Sequence, residues 1–251
     1  MKNPLISVIT VVYNGATTLE QTMLSVINQT YQNIEYIIID GGSNDGTVDI
    51  IKKYEKHLAY WISEPDKGIY DAMNKGIAKA KGEIIGLINS DDWYETDSIE
   101  SVVTAFKKNE TEIVHGNIRL IDEGRNKSVV CVPVKDLTQI RYKGMILWHP
   151  SFFVHKNVYA NVGKFNINNL VASDYEFTLK SYLSGVKFHY INRIITNFRL
   201  GGVSDRKILL GFAECRRIAI RYGVSRTLVN FFYIKRRIGI MVKSILSKDK
   251  I

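Results

Sequence analysis

Three observations predict an α/β protein built on a mainly parallel sheet. Short runs rich in Val and Ile alternate with stretches whose apolar residues recur at helical spacing through the first 90 positions. The strand-like runs stop abruptly in polar clusters, Tyr13-Asn14, Asp40 to Asp45 and Asn89 to Asp92. The chain, 251 residues and 45% hydrophobic, is long enough to bury an ample core. Alternation of this kind implies right-handed crossovers, and such sheets bind ligands beyond the carboxyl ends of their strands. The three polar clusters are therefore expected to meet in one crevice.

Each element follows from its own residues. Leu5 to Val12 reads as a strand buried on both faces, and Asn14-Gly15 turns out of it. Its apolar run is short, rich in Val and Ile, and ends in Tyr-Asn-Gly, so it reads as a first strand and not a leader peptide. Thr17 or Thr18 then caps a helix reaching Gln29, with Leu19, Met23, Val26 and Ile27 on one face. Ile34 to Ile39 is a second strand, closed by the loop Asp40 to Thr47, DGGSNDGT, and followed by a helix carrying Val48, Ile50, Ile51 and Tyr54. Glycines let backbone amides approach an anion, which makes this loop a candidate phosphate cradle; a turn capped by Asp45 is the plainer reading. Ala59 to Ile62 and Ile84 to Ile88 are strands either side of a helix over Tyr70 to Ala80.

The stretch Glu83 to Trp93, EIIGLINSDDW, carries the chemistry. Two adjacent carboxylates at the mouth of a buried strand repel each other and call in a proton or a cation. Hard oxygen donors beside a phosphate suit Mg²⁺ or Mn²⁺, and the alternative is that Asp91 and Asp92 cap the helix beginning near Thr96-Asp97. Further on, Ile99 to Phe106 reads as a helix, and Ile113 to Ile121 with Ser128 to Val132 as an antiparallel pair about Asp122-Glu123-Gly124. Val171 to Leu183 is a helix whose start carries Ser173-Asp174, where Asp174 could serve as a cap. His149 lies between apolar stretches and is a substrate contact, a core histidine or, standing alone, a metal ligand.

The net charge of +9 is unevenly placed. Residues 205–251 hold 12 of the 34 Lys and Arg and only 3 of the 25 Asp and Glu, so the rest of the chain is neutral. Two helices are expected there, Ile208–Tyr222 and Arg226–Leu246, the second interleaving Leu228, Phe231, Phe232, Ile238, Met241 and Ile245 with Lys235, Arg236, Arg237 and Lys243. A cationic face beside an apolar one suits anionic headgroups. No nucleic-acid recognition motif accompanies it, and nucleic acid is not the expected partner. No run approaches the roughly 18 apolar residues of a spanning helix. Two distant cysteines, Cys131 and Cys215, without metal-ligand spacing, fit a reducing compartment.

In order along the chain, PLISVITVVYN (4–14), IIIDGGSNDGT (37–47) and EPDKGIYDAMNKGIAKAKGEIIGLINSDD (64–92) resemble the donor half of the family 2 inverting glycosyltransferases. HPSFFV (149–154), ASDYEF (172–177) and FRLGGVS (198–204) resemble its acceptor half. The likeness is closest to bacterial transferases that build capsule, colanic-acid or O-antigen units. It implies a GT-A fold: a Rossmann-like sheet with a smaller mixed acceptor region and C-terminal helices. The division expected is 1–115 for the nucleotide-sugar, 116–204 for the acceptor and catalysis, and 205–251 for the basic amphipathic helices.

The resemblance also implies roles. Thr10, Val11, Tyr13 and Asn14 belong to the edge that holds the nucleobase, with Tyr13 available to stack. Asp91 meets the ribose or diphosphate, Asp92 binds the metal and Asp174 is the catalytic base; His149 is expected at the acceptor from its own reading as a substrate contact. Many members carry two acids where this chain has Asp40-Gly41, so Asp40, Asp66 or a backbone group must take over the grip on the base. The Gly201-Gly202 turn is expected to close over the nucleotide. The implied enzyme is a metal-dependent hexosyltransferase, using a UDP-linked donor and a polyprenyl-diphosphate-linked saccharide, peripheral on the cytoplasmic face of the membrane. A nucleotidyltransferase sharing the sheet and metal site, or a non-catalytic membrane-surface protein, are the alternatives.

Overall fold

The structure, a computed structural model, describes residues 3–108, 110–202 and 207–248, with side chains up to residue 239. The amino-terminal half is the expected alternation. Strands β1 (Ile6–Val12), β2 (Ile34–Asp40), β3 (Tyr60–Ser63) and β4 (Ile84–Asn89) are joined by helices α1 (Leu19–Ile27), α2 (Thr47–Lys53) and α3 (Ile69–Lys79). All three pairings, β1 with β2, β1 with β4 and β2 with β3, are parallel. Side chains alternate across β1: Ile6, Val8 and Val12 join Leu19, Met23, Val102 and Phe106 in one apolar layer, while Ile9 and Val11 join Met73, Ile77 and Phe177 in the other.

The sheet then continues through mixed strands. A short β5 (Trp93–Tyr94) and α4 (Ser98–Lys108) lead to β6 (Ile113–Asp122), β7 (Lys127–Cys131), α5 (Ile140–Lys143), β8 (Phe153–His155), α6 (Lys156–Val162), α7 (Ser173–Leu183) and β9 (Phe188–Arg199). The nine strands form one sheet in the order β3-β2-β1-β4-β8-β6-β9-β5, with β7 on the flank of β6. β8 runs antiparallel between β4 and β6, so the expected division at 115/116 falls inside β6 and within continuous hydrogen bonding.

Strand β9 is the longest element of the sheet at 12 residues and was not legible in the sequence. Its pairing with β6 slips around His115 to Ile118, which breaks the two-residue alternation that marks a strand. Gly116 sits at the slip because a Cβ there would lie 2.7 Å from the Arg193 carbonyl oxygen.

The C-terminal helices α8 (Ile208–Arg221) and α9 (Arg226–Lys248) were expected as a tail, and α8 with the start of α9 is built into the body. Ile218, Ala219, Val224 and Val229 are buried in the same apolar layer as Ile9 and Phe177. Packing of the tail on its own domain, with its charges solvated, was the alternative to a membrane-facing tail, and charge alone does not reveal it because the inward face is narrow and flanked by Arg216, Arg217 and Arg221.

Candidate active site

The carboxyl ends of β1, β2 and β4 do converge, and hydrogen bonds weld the first two loops together. The Asn14 amide donates to Ser43 Oγ at 2.7 Å, the Asn44 amide to Asn14 Oδ1 at 3.1 Å, the Gly15 amide to Thr47 Oγ1 at 2.9 Å and the Ala16 amide to Asp45 Oδ2 at 3.0 Å. This consumes the loop. With the Gly42 and Ser43 amides given to Asp40 and the Thr47 amide to Asp45, the phosphate-cradle reading of DGGSNDGT does not hold. Asp45 braces the turn through Thr47 and Ala16, contacts that hold its carboxyl below the usual range.

Asp40 is wholly buried and accepts from Gly42, Ser43 and the Ser63 hydroxyl, so its carboxylate organises the loop. Thr10 is also buried, its hydroxyl 2.9 Å from that of Tyr36, and Val11 points into the apolar layer. Their side chains are spent on the fold. Tyr13 is the opposite case, 66% exposed where β1 ends. Beside it a Cβ on Gly41 would meet Asp66 Oδ2 at 2.6 Å and Tyr13 Cδ2 at 3.4 Å, so the Asp66 carboxylate occupies the space above Gly41, next to the exposed ring.

At the end of β4, Asp92 is only 1% exposed. Its Oδ1 accepts the Arg199 amide and its Oδ2 the Asn89 side-chain amide, both at 3.1 Å. Burial, and then the neighbouring Asp91, raise its carboxyl well above the usual range, against the pull of those donors. The Arg199 side chain reaches back over the pair: Nε donates to the Asp91 carbonyl oxygen at 3.2 Å, and the guanidinium lies 5.2 Å above the Trp93 ring. Gly202 follows, with Asp91 Oδ2 3.3 Å from where its Cβ would stand. The helix-cap alternative for the pair fails, since α4 starts six residues after Asp92.

Asp174 lies in the first turn of α7, two residues past the N-cap Ala172, so it is not the cap. Its Oδ1 accepts the Tyr175 amide at 2.8 Å and stands 3.2 Å from the Tyr70 hydroxyl. Burial raises its carboxyl to about 6, countered in part by the Tyr175 amide. Tyr70 opens α3 on the carboxyl side of β3, a few residues after Asp66, which places Asp174 at the same edge of the sheet as Tyr13, Asp66 and the Asp91-Asp92 pair.

A family model described as "Glycosyl transferase family 2" matches residues 7–163. An uncharacterized glycosyltransferase of Mycobacterium tuberculosis is 31% identical over 93% of this chain and 91% of its own. The chain belongs to glycosyl transferase family 2. A PGL/p-HBAD biosynthesis glycosyltransferase of the same organism is 25% identical, over 91% of this chain and 90% of that one. Among solved structures, S. aureus TarS superposes with a TM-score of 0.69 at 17% identity, covering 90% of this chain and 42% of TarS. A mannosyltransferase from Pyrobaculum calidifontis, in complex with GDP-Man and Mn²⁺, gives 0.65 at 18% identity, covering 86% and 65%. These likenesses establish the GT-A architecture.

This family 2 glycosyltransferase gathers no group of three or more His, Cys, Asp or Glu fit to hold a metal among its described residues. Its donor set still fits Mg²⁺ or Mn²⁺, which commonly takes one or two carboxylates and completes its shell with water and substrate phosphates. A buried carboxylate raised by burial and by a second one beside it would be relieved by a cation. His149 is buried, its ring 5.6 Å from Phe165 and 6.0 Å from Phe152, and burial lowers it to about 4, so it is neutral. Tyr70 packs on the same Phe165 ring at 5.6 Å, which puts His149 one aromatic residue behind the site. Arg199, which touches Asp91 and Asp92, and Tyr70, 3.2 Å from Asp174, were not expected at the site, although both lie inside motifs the sequence displays, FRLGGVS and GIYDAMNKGI.

Proposed function

We propose that this glycosyltransferase inverts configuration as it moves a sugar from a UDP-linked donor to a hydroxyl of a lipid-linked glycan in surface polysaccharide assembly. The observation that carries the reading is Asp174: a carboxyl raised to about 6, 3.2 Å from the Tyr70 hydroxyl and at the same sheet edge as the Asp91-Asp92 pair. That value suits a general base working near neutral pH. Asp174 takes the proton of the acceptor hydroxyl while that oxygen bonds to the anomeric carbon, and the glycosidic bond to the nucleoside diphosphate breaks on the opposite face. Tyr13 stacks on the nucleobase, and Asp66 accepts from its edge in place of the acid that Gly41 lacks. Asp91 meets the ribose or diphosphate, Asn14 and the backbone at Thr10 and Val11 complete the donor edge, and Asp40 acts through the loop it holds. Asp92 would hold Mg²⁺ or Mn²⁺, which supplies positive charge for the departing diphosphate when bound. His149 shapes the acceptor side from behind Phe165.

The acceptor reading draws on the C-terminal helices. Leu228, Phe231, Ile234 and Ile238 expose an apolar stripe on α9, and exposed Lys235 and Arg237 flank it. No helix of the described residues is long and apolar enough to cross a membrane. Such a surface fits the anionic cytoplasmic leaflet and a polyprenyl-diphosphate-linked acceptor held there. Residues 1–115, 116–204 and 205–251 then serve donor, acceptor and surface. Screening nucleotide sugars for metal-dependent hydrolysis tests the reading: release of UDP supports it, while release of pyrophosphate or no turnover of any donor overturns it.

A further inference from the structure

Resting on the reading of Asp174 as the base, we infer that Glu214, on the first C-terminal helix, is a positioning residue that fixes the loop carrying that base. Glu214 is 3% exposed. Its Oε1 accepts the Leu170 amide at 2.9 Å, and its Oε2 accepts the amides of Val171 and Ala172 at 2.9 and 3.0 Å. These three amides immediately precede α7 and have no helical carbonyl to pair with, so one carboxylate from α8 satisfies all of them. The Arg217 guanidinium stands 3.6 Å from the same carboxylate and offsets its burial.

The loop is gripped from two sides. Tyr70 of α3 donates its hydroxyl to the Val171 carbonyl at 2.6 Å while Glu214 takes the Val171 amide, so both polar groups of that residue are held by different helices. Asn74 of α3 pairs reciprocally with the backbone of Phe165 at 2.8 and 3.0 Å, fixing the other end of the segment. What α3 alone leaves open is rotation of residues 170–172 about the Tyr70 contact. Such a rotation would swing Asp174, two residues on, away from the acceptor hydroxyl. Glu214 closes that freedom. Burying a carboxylate costs more than an apolar contact of the same size returns, so a purely architectural role is poorly served by a glutamate here.

Among the described residues, the charged and titratable groups acting on Asp174 are Tyr70 from α3 and Glu214 and Cys215 from α8. Tyr70 is raised well above the usual phenol range and Cys215 to about 12, so both are neutral near pH 7, and Glu214 is the one carboxyl group among them. Repulsion from Glu214 adds to burial in holding the Asp174 carboxyl high.

The test is Glu214→Gln in the full chain, read as UDP release to water in Mn²⁺ from whichever of UDP-glucose, UDP-galactose and UDP-GlcNAc turns over fastest. The glutamine presents N–H to at least one of the three amides and removes the charge. The expected result is a kcat loss of about tenfold to 10²-fold, the cost of a misplaced reacting group. Donor KM stays within about twofold, because the donor residues are on other loops. The acid limb of the kcat–pH profile moves to lower pH, whereas Glu214→Asp, which keeps the charge, leaves the limb near its wild-type position. Wild-type kcat with an unmoved limb overturns the inference, and so does a loss shared equally by kcat, donor affinity and Tm. Asp174→Asn run in parallel separates the two layers: if it retains turnover, the base assignment itself is wrong. Hydrogen exchange on the wild-type protein decides if the variants do not fold. Peptides over 170–172 exchanging as slowly as α8 support the anchor, and exchange at open-loop rates overturns it.

Discussion

Asp66 stands where a side chain on Gly41 would be. A Cβ on Gly41 would lie 2.6 Å from Asp66 Oδ2, so a substituted residue 41 and the observed Asp66 rotamer cannot coexist. The glycine in IIIDGGS and the aspartate in EPDKG are two halves of one arrangement, 25 residues apart in the chain.

If Asp66 reads the nucleobase, Asp66→Ala lowers UDP affinity by about tenfold or more, the worth of one hydrogen bond to a charged group. Gly41→Ala does the same indirectly by pushing Asp66 aside from its contact with the Gly68 amide. Calorimetry with UDP checks both, and unchanged affinity in Asp66→Ala removes Asp66 from the donor site.

Asp92→Asn should abolish the Mn²⁺ dependence of UDP binding and leave the fold intact. Asparagine can still accept the Arg199 amide through its oxygen, so the contact between β9 and the end of β4 survives the loss of charge. Calorimetry of UDP with and without Mn²⁺ is the measurement. An undiminished metal effect in the variant would mean the cation sits elsewhere.

Asp174→Asn should preserve donor affinity and cost turnover about 10²–10⁴-fold, the usual worth of a general base. A loss below about fivefold would leave Asp174 with a role in holding Tyr70 and the α7 start only.

The pH profile follows from the same carboxyl. Its value of about 6 is raised from 3.8, chiefly by burial, so the folded protein favours the protonated form. Only the ionised form accepts a proton, and kcat/KM is therefore expected to fall as pH drops through about 6 in the free enzyme. The stability effect has the opposite sign. The fold loses stability through this group as pH rises from about 4 to about 6, and the penalty is constant above that. An acid limb near 4 would mean the base sits in a more polar environment than the structure gives it.

Membrane binding should depend on the outward face of α9 and not on its whole charge. Arg236 turns inward, 5.2 Å over the Phe212 ring, whereas Lys235 and Arg237 are exposed beside Phe231, Ile234 and Ile238. Lys235→Gln with Arg237→Gln should weaken sedimentation with anionic vesicles at low salt, at about 1 kcal/mol per charge. Phe231→Ser should weaken the part that survives high salt. If both variants pellet like the parent, α9 is not the docking surface. Lys243 also belongs to this basic run, but its side chain lies outside the described residues.

The sequence alone determined the amino-terminal sheet, its parallel pairing and the carboxyl edge as the place for chemistry, because a buried strand and an amphipathic helix each write their period into consecutive residues. It also marked Asp91-Asp92, since charge beside an apolar run is visible without coordinates, whereas Asp174 was marked by the resemblance of ASDYEF to the family's acceptor half. Only the tertiary structure decided what those residues touch. It showed Asp40 spent on its own loop, Asp66 standing over Gly41, β9 delivering the Arg199 amide to Asp92, and Glu214 reaching from the C-terminal helices to the loop before Asp174. Each of these joins positions 25 to more than 100 residues apart or reverses an exposure that composition suggested. Local periodicity carries no record of such pairings, because they are fixed by how the layers stack and not by the order of neighbours in the chain.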